Sequence, residues 1–315
     1  MKNKQPINIA TIITCHNRKH MTMKALSCLF EAAETYRQES ESPLQLKLFL
    51  TDDGCTDGTA ESIKQTFKNE DIIILKGNGQ LYWAGGMRYA WKEALKEHSQ
   101  WDYYLLLNDD TFLFKNAFTQ LLNTHSYAIK NYTKGGVYAG ITCSLNQQEI
   151  TYGGGIYSHP IIGKLVLIHP KGQPQPCQVT YANILLVAKT VVDKIGIFDS
   201  CYRHQCADWA YGLQANKAGF PVLVTGSVCG ICEDDHFSEE EEKEHIKKMS
   251  IRQRITYFSS PLRSVKDVLA FMARFQKIKY PMVCVARFIN IFFPTLYYRF
   301  NEMRPGSKQE HHKFE

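Results

Sequence analysis

Four apolar runs within the first 110 residues, INIATII (7–13), LQLKLFL (44–50), IIIL (72–75) and YYLLL (103–107), each stop at a polar cluster, and stretches with helical spacing of apolar residues separate them. Runs of this kind, alternating with amphipathic helices, fit a parallel β-sheet covered by helices. In such a sheet the ligand lies beyond the C-terminal ends of the strands. That rule gathers Thr14–Arg18, Asp52–Asp57, Gly77–Gly86 and Asn108–Asp110 along one edge, although they lie far apart in the chain.

The chain has 315 residues, 44% of them hydrophobic and 22% charged, enough for a substantial core in one large domain or one domain with an appendage. Its formal charge of +6 is too mild to point to nucleic acid, although basic residues become dense toward the C-terminus. The N-terminal MKNKQPINIATIITCHNR has a basic start but only a short apolar run, which contains Thr and Asn and meets His16 and Arg18. It reads as a buried first strand rather than a signal or a membrane span. Ten cysteines without a secretion signal suggest a reducing cytosol and mostly free thiols. Cys229 and Cys232 form a lone CxxC; without a second pair they read as incidental or structural rather than as half of a zinc site.

The second half departs from the alternation. VYAGITC and TYGGGIYS lead to HPKGQPQPCQ, whose three prolines mark a surface excursion, and then a strand and helix resume in VTYANILLVAKTVVDKIGIFD. HQCADWAYGLQANKAGF reads as a polar turn and an amphipathic helix, PVLVTGSVCG as a last strand, and EDDHFSEEEEKEH as a solvated acidic loop and helix start. From about Ile251 the chain turns basic, aromatic and helical.

The polar clusters carry the chemistry. No GxxxxGK[ST] loop is present and the first strand leads to TCHNR rather than GxGxxG, which argues against a P-loop nucleotide triphosphatase and a dinucleotide-binding enzyme. Asp52 and Asp53 finish an apolar strand where a turn would need only one carboxylate; such a pair can accept from a ring N–H and a hydroxyl, as a nucleoside offers. Asp57 and Thr59 are expected to cap the next helix. Asp109 and Asp110 repel one another, and Mg²⁺ or Mn²⁺ held by one or two carboxylates and by diphosphate oxygens would relieve that repulsion and neutralise a departing nucleotide diphosphate. Asp208, just before an amphipathic helix, serves either as a cap favoured by the helix dipole or as a general base toward an attacking hydroxyl. His204 and His236 are weaker candidates for contact with ligand or metal.

TIITCHNR, LTDDGCTDGT, LKGNGQLYWAGGMRYAW, YYLLLNDDT and ADWAYGLQANKAGF, in this order and spacing, resemble the inverting nucleotide-sugar glycosyltransferases of family 2, over roughly residues 7 to 240. Within that family, YWAGGM and LLLNDDT look most like bacterial rhamnosyltransferase-like enzymes of surface polysaccharide synthesis. The resemblance implies an α/β GT-A fold, a mostly parallel central sheet flanked by helices, with a C-terminal helical extension. It implies a catalytic domain over 1–250, with the donor nucleotide bound by about 1–115 and the acceptor by about 116–250, and an extension over 251–315. Carried over by position, Thr14, His16 and Arg18 lie along the nucleotide, and Asp52 or Asp53 recognises the base. Trp83, Ala84, Gly85, Gly86 and Met87 thread a small-residue loop under the donor, where glycine allows close approach. Asn108, Asp109 and Asp110 take the place of the family's DxD motif, Asp109 facing ribose or sugar and Asp110 the metal, with His236 toward metal or diphosphate. Asp208 matches the catalytic base. Two departures stand out: Ala207 where the base motif commonly has Glu, and Gln214 or Asn216 where an Arg is common.

The implied reaction is a single displacement with inversion, dependent on Mg²⁺ or Mn²⁺, from a nucleotide-sugar donor to a saccharide acceptor, free or lipid-linked. ARFINIFFPTLYYRF and its surroundings are expected either to pack as a helical hairpin or to lie on an anionic membrane, since the apolar runs are too short to span it. The expected location is the cytoplasm, with the cytoplasmic face of the inner membrane as the peripheral alternative. Two other readings stand beside this one: a nucleotidyltransferase, whose usual basic glycine-rich loop is missing here, and a non-catalytic sugar-binding relative, to which Ala207 and the leading Asn108 point.

Overall fold

The structure is a computed structural model that describes residues 5–40, 42–159, 163–234 and 239–302. His236, expected near the metal, lies outside the described residues. The chain opens with β1 (Ile7–Cys15), α1 (Lys19–Glu39), β2 (Leu44–Asp52), α2 (Thr59–Thr66), β3 (Asp71–Lys76), α3 (Tyr82–Ala94) and β4 (Tyr103–Leu107). β1 is central in this half: it pairs in parallel with β2 and with β4, and β2 pairs in parallel with β3. The five residues of β4 are buried throughout, as a strand covered on both faces requires.

β5 (Phe112–Leu113), α4 (Ala117–Tyr132), β6 (Val137–Cys143), β7 (Ile150–Tyr152), β8 (Gly154–Tyr157), β9 (Leu165–Leu167), β10 (Gln175–Pro176), β11 (Val179–Thr180), β12 (Ile184–Ala188), α5 (Lys189–Ile195), α6 (Ala207–Lys217) and β13 (Val222–Ile231) follow. The sheet runs β10-β13-β6-β12-β4-β1-β2-β3, while β8, β9 and β11 form a small sheet of their own. The proline-rich excursion is tied to the sheet's edge, where β10 pairs with β13, a place where Pro is tolerated, and where the Gly172 amide donates to the Gly226 carbonyl.

The reversal at β12 matters for the site. β12 is antiparallel to both β4 and β6. Its beginning therefore lies beside the end of β4, and the Asn108 amide donates to the Asn183 carbonyl at 3.1 Å. Residues from the second half are thereby brought to the edge where the first four strands end.

The C-terminal region forms α7 (Glu239–Lys248), α8 (Ile251–Ser259), α9 (Val265–Phe275), α10 (Tyr280–Phe292) and α11 (Pro294–Glu302), a succession of helices rather than one hairpin. Ser250 and Gln253 make a reciprocal capping box that starts α8. α9 packs on α6 through Trp209 and Phe271, whose ring centroids are 6.0 Å apart. Among the described residues no helix is long and apolar enough to cross a membrane.

Candidate active site

The ends of β1 and β2 are sewn together by backbone and side-chain bonds. His16 donates through Nδ1 to the Asp53 carbonyl at 2.6 Å, and Asn17 accepts the Thr56 amide at 2.7 Å. Asp52 accepts the Cys55 amide at 2.7 Å and remains partly accessible at the strand end. Asp53 is different: it is buried, and its oxygens accept from Gly79 (2.8 Å), Leu81 (2.9 Å) and Tyr82 (3.1 Å) amides. It organises the turn into α3, so Asp52 is the member of the pair better placed to meet a nucleoside. Asp57 behaves as the expected turn residue, accepting from Thr59 and from the Lys19 amide, bonds that hold its carboxyl below the usual range.

The YWAGGM segment is the start of α3 and not a loop. Met87 is fully buried in the core and cannot meet a donor, which corrects its assignment to that role. Gly86 is needed for packing, because a Cβ there would sit 2.1 Å from Thr14 Oγ1, whereas at Gly85 the nearest atom, Leu81 Cβ, is 3.5 Å away. Trp83 is half-buried and its indole N–H donates to Asn108 Oδ1 at 2.8 Å, joining the start of α3 to the end of β4.

At that end Arg18 faces both carboxylates, 2.8 Å from Asp110 Oδ2 and 3.6 Å from Asp109 Oδ1. Asp109 is buried and also accepts the Thr22 hydroxyl at 3.2 Å. Burial pushes its carboxyl up to about 7, with Arg18 opposing that rise and Asp110 adding to it. Thus one guanidinium does not fully compensate the pair. Among the described residues no group of three or more His, Cys, Asp or Glu is placed to hold a metal ion by itself. The two carboxylates suit a hard cation that takes one or two protein oxygens and completes its shell with phosphate and water. All ten cysteines are free thiols; Cys229 and Cys232 are buried, and Cys232 points its thiol to Asp110 Oδ1 at 3.7 Å.

Asp208 is the second residue of α6. Its oxygens accept the Ala182 amide (3.1 Å) and the Trp209 amide (2.9 Å). Burial raises its carboxyl to about 6 against these two bonds, a value suited to a proton acceptor near neutrality. Ala182 touches Asp208 and the adjoining Asn183 touches Asn108, so Asp208 and the β4 carboxylates flank one short stretch of chain. The Asn216 side chain donates to the Cys177 and Gln178 carbonyls and is structural. Sequence reasoning missed Tyr152, Tyr181 and Trp209, an aromatic row beside Asp208 with successive centroids 5.5 and 5.6 Å apart. It also missed three non-glycine residues with positive φ at this edge, Asn17 (49°), Tyr82 (55°) and Cys206 (64°). Such strain persists where surrounding contacts over-determine it and gathers at functional sites.

Residues 11–150 match the profile of Glycosyl transferase family 2. Over that stretch the chain is similar to family 2 glycosyltransferases. No curated protein matches the sequence at a significant level. Among solved structures, S. aureus TarS 1-349 in complex with UDP is 10% identical to this chain, with a TM-score of 0.55, 95% of this chain and 93% of that chain being covered. S. aureus TarS 1-349 in complex with UDP-GlcNAc is 10% identical with a TM-score of 0.51, over 90% of this chain and 79% of the other. At this identity the likeness concerns the fold: the chain has the GT-A fold, and its match to TarS covers the C-terminal helices as well as the sheet domain.

Proposed function

We propose that this chain is an inverting, divalent-cation-dependent glycosyltransferase that moves a sugar from a nucleotide-sugar donor to a saccharide hydroxyl. The observation that carries the reading is the pairing of a raised carboxyl at Asp208 with the Asp109–Asp110 pair across Ala182 and Asn183. The UDP and UDP-GlcNAc complexes of TarS support a nucleotide-sugar donor. Asp52 would accept from the base, Arg18 and Asn108 would lie along the diphosphate and sugar, and Tyr152, Tyr181 and Trp209 would flank the acceptor. Asp208 takes the proton of the acceptor hydroxyl as that oxygen bonds to the anomeric carbon from the face opposite the diphosphate. The bond to the diphosphate oxygen breaks, and Arg18 meets the departing negative charge. Mg²⁺ or Mn²⁺, held at Asp110 with help from Asp109, would supply further neutralisation of that leaving group. The finer reading is deoxyhexosyl transfer of the rhamnosyltransferase kind, in cell-surface polysaccharide synthesis.

The acceptor in this reading is presented at a membrane, and the C-terminal helices suit such a place. Met282, Val285, Phe288 and Phe292 follow helical spacing along α10, with Ile278 just ahead of it, and are all exposed, as are Phe293 at the junction and Leu296 and Phe300 on α11. Residues 268–301 hold Arg274, Lys277, Lys279, Arg287 and Arg299 and no acidic residue. Apolar side chains among cations fit the headgroup layer of an anionic bilayer.

The test is a binding and turnover screen of UDP-, GDP- and dTDP-sugars with Mn²⁺, with Mg²⁺ and with EDTA. One donor should bind and slowly hydrolyse only with metal, with kcat/KM rising through about pH 6 as Asp208 ionises. Asp208→Asn should lower turnover by about 10²–10⁴-fold while leaving donor binding. Full activity of that variant would remove Asp208 as the base, and donor binding without any turnover would shift the reading to a sugar-binding protein.

A further inference from the structure

A fully buried carboxylate on the first turn of α9 reaches out of its own helix to the loop that precedes Asp208. Asp267 accepts no solvent. The Ser264 side chain caps α9 by accepting the Asp267 amide at 3.1 Å, and its hydroxyl donates to Asp267 Oδ1 at 3.0 Å. Oδ2 instead accepts three successive backbone amides from another part of the chain: Arg203 (3.0 Å), His204 (2.9 Å) and Gln205 (3.0 Å). A helix cap needs none of these. Convergent amides of this kind form an anion cradle, and charge-assisted bonds to a buried carboxylate hold the loop backbone in one arrangement.

That loop touches both sides of the site. Downstream it runs into Cys206, whose φ of 64° is one of the strained positions, and then into Asp208. Toward the donor side the Arg203 carbonyl accepts the Gly85 amide and His204 Nδ1 accepts the Trp83 amide, each at 3.4 Å. The Arg203 guanidinium lies 5.2 Å from the centroid of Tyr82, another strained residue. Gln205 adds a side-chain bond to the Leu262 carbonyl just before α9.

We infer that Asp267 is a positioning residue for transfer: by holding residues 203–205 it sets Asp208 against the Tyr82–Gly85 turn, so α9 is part of the catalytic unit rather than an appendage. This rests on the transferase reading above. The test compares Asp267→Ala, Asp267→Asn and Ser264→Ala. Ser264→Ala removes the cap of α9 and leaves the three loop bonds; Asp267→Asn keeps an oxygen for the amides without its charge. Expected is a fall in kcat of about tenfold or more in Asp267→Ala with donor KM changed by less than about threefold, Asp267→Asn falling between it and the parent. Ser264→Ala should keep the parent kcat even where its melting temperature drops as far. Loss of kcat in step with melting temperature across all three would overturn the inference. Hydrogen exchange at the amides of 203–205 and 82–85, measured without substrate, gives a readout independent of turnover. It should speed up in both Asp267 variants and not in Ser264→Ala. Should the parent turn over no nucleotide sugar, the transferase reading falls and exchange alone decides; unchanged exchange in Asp267→Asn, which serves also where Asp267→Ala does not fold, would sink the positioning role.

Discussion

Asp109 and Asp208 are both carboxyls held above their ordinary range by burial, yet they are suited to different work. Asp208 has two backbone amides and lies among aromatic rings, so its raised value makes it a competent proton acceptor. Asp109 lies beside a second carboxylate and a single guanidinium at 3.6 Å, and its raised value records uncompensated charge. The linkage follows from the sign. A carboxyl with a folded value of about 7 and an ordinary value near 4 binds its proton more tightly in the folded state, so its contribution to stability is complete below about pH 4 and is lost as pH rises through about 7. The metal-free protein should therefore lose melting temperature across that window beyond what Asp109→Asn loses. Saturating Mn²⁺ should raise melting temperature more at pH 8 than at pH 5.5 in the parent, and this pH difference should shrink in Asp109→Asn. Equal Mn²⁺ shifts at both pH values would mean that the carboxylate pair is not where the cation goes.

At the scale of elements, the site depends on how tightly α3 is laid on the end of β1. Gly86→Ala drives a methyl into Thr14, whose Oγ1 would be 2.1 Å away and whose Cβ 2.8 Å, and should cost about 1–3 kcal/mol by overpacking. Gly85→Ala meets only an ordinary contact at 3.5 Å and removes a helical glycine, so stability should hold or rise by about 0.5–1 kcal/mol. Denaturant melts of the two variants check this; equal losses would mean that the close approach of α3 to Thr14 is not what makes Gly86 necessary. The strand ends were legible in the sequence because buried apolar runs stop abruptly at polar residues, which is why Arg18, Asp52, Asn108, Asp109 and Asp110 could be placed on one edge. Met87 was misplaced because a run of small residues reads as a loop until the turn ahead of it is seen pinned by Asp53. Asp53 and Asp267 look like any acidic residue in sequence; their roles come from amides 26 or more and 62 or more residues away, respectively. The aromatic row was illegible for the same reason, since β7, the residue that follows β11, and α6 meet only in three dimensions.

For the molecule as a whole, the question is what covers the apolar stripe on α10 and α11. Phe288, Phe293 and Phe300 are each 56% exposed, and α7 and α11 are joined by the Lys243–Glu302 ion pair at a different set of residues, so among the described residues the stripe stays uncovered. Eight exposed large apolar side chains, with five basic residues and no acidic one across 268–301, are ill matched to water but well matched to an anionic bilayer. Each Lys or Arg at such a surface contributes about 1 kcal/mol, screened within a Debye length, whereas the apolar contacts are little affected by salt. Co-sedimentation with phosphatidylglycerol-containing vesicles should therefore be strong at low salt and fall at high salt, and binding to purely zwitterionic vesicles should be weak. Phe288→Ser with Phe293→Ser should weaken it at every salt concentration, and Arg287→Gln with Arg299→Gln only at low salt. Donor hydrolysis in solution should be the same in all four-residue and two-residue combinations, because none of these side chains belongs to the edge where the strands end. Absence of vesicle binding together with a concentration-dependent dimer that Phe288→Ser abolishes would assign the stripe to a second copy of the chain instead.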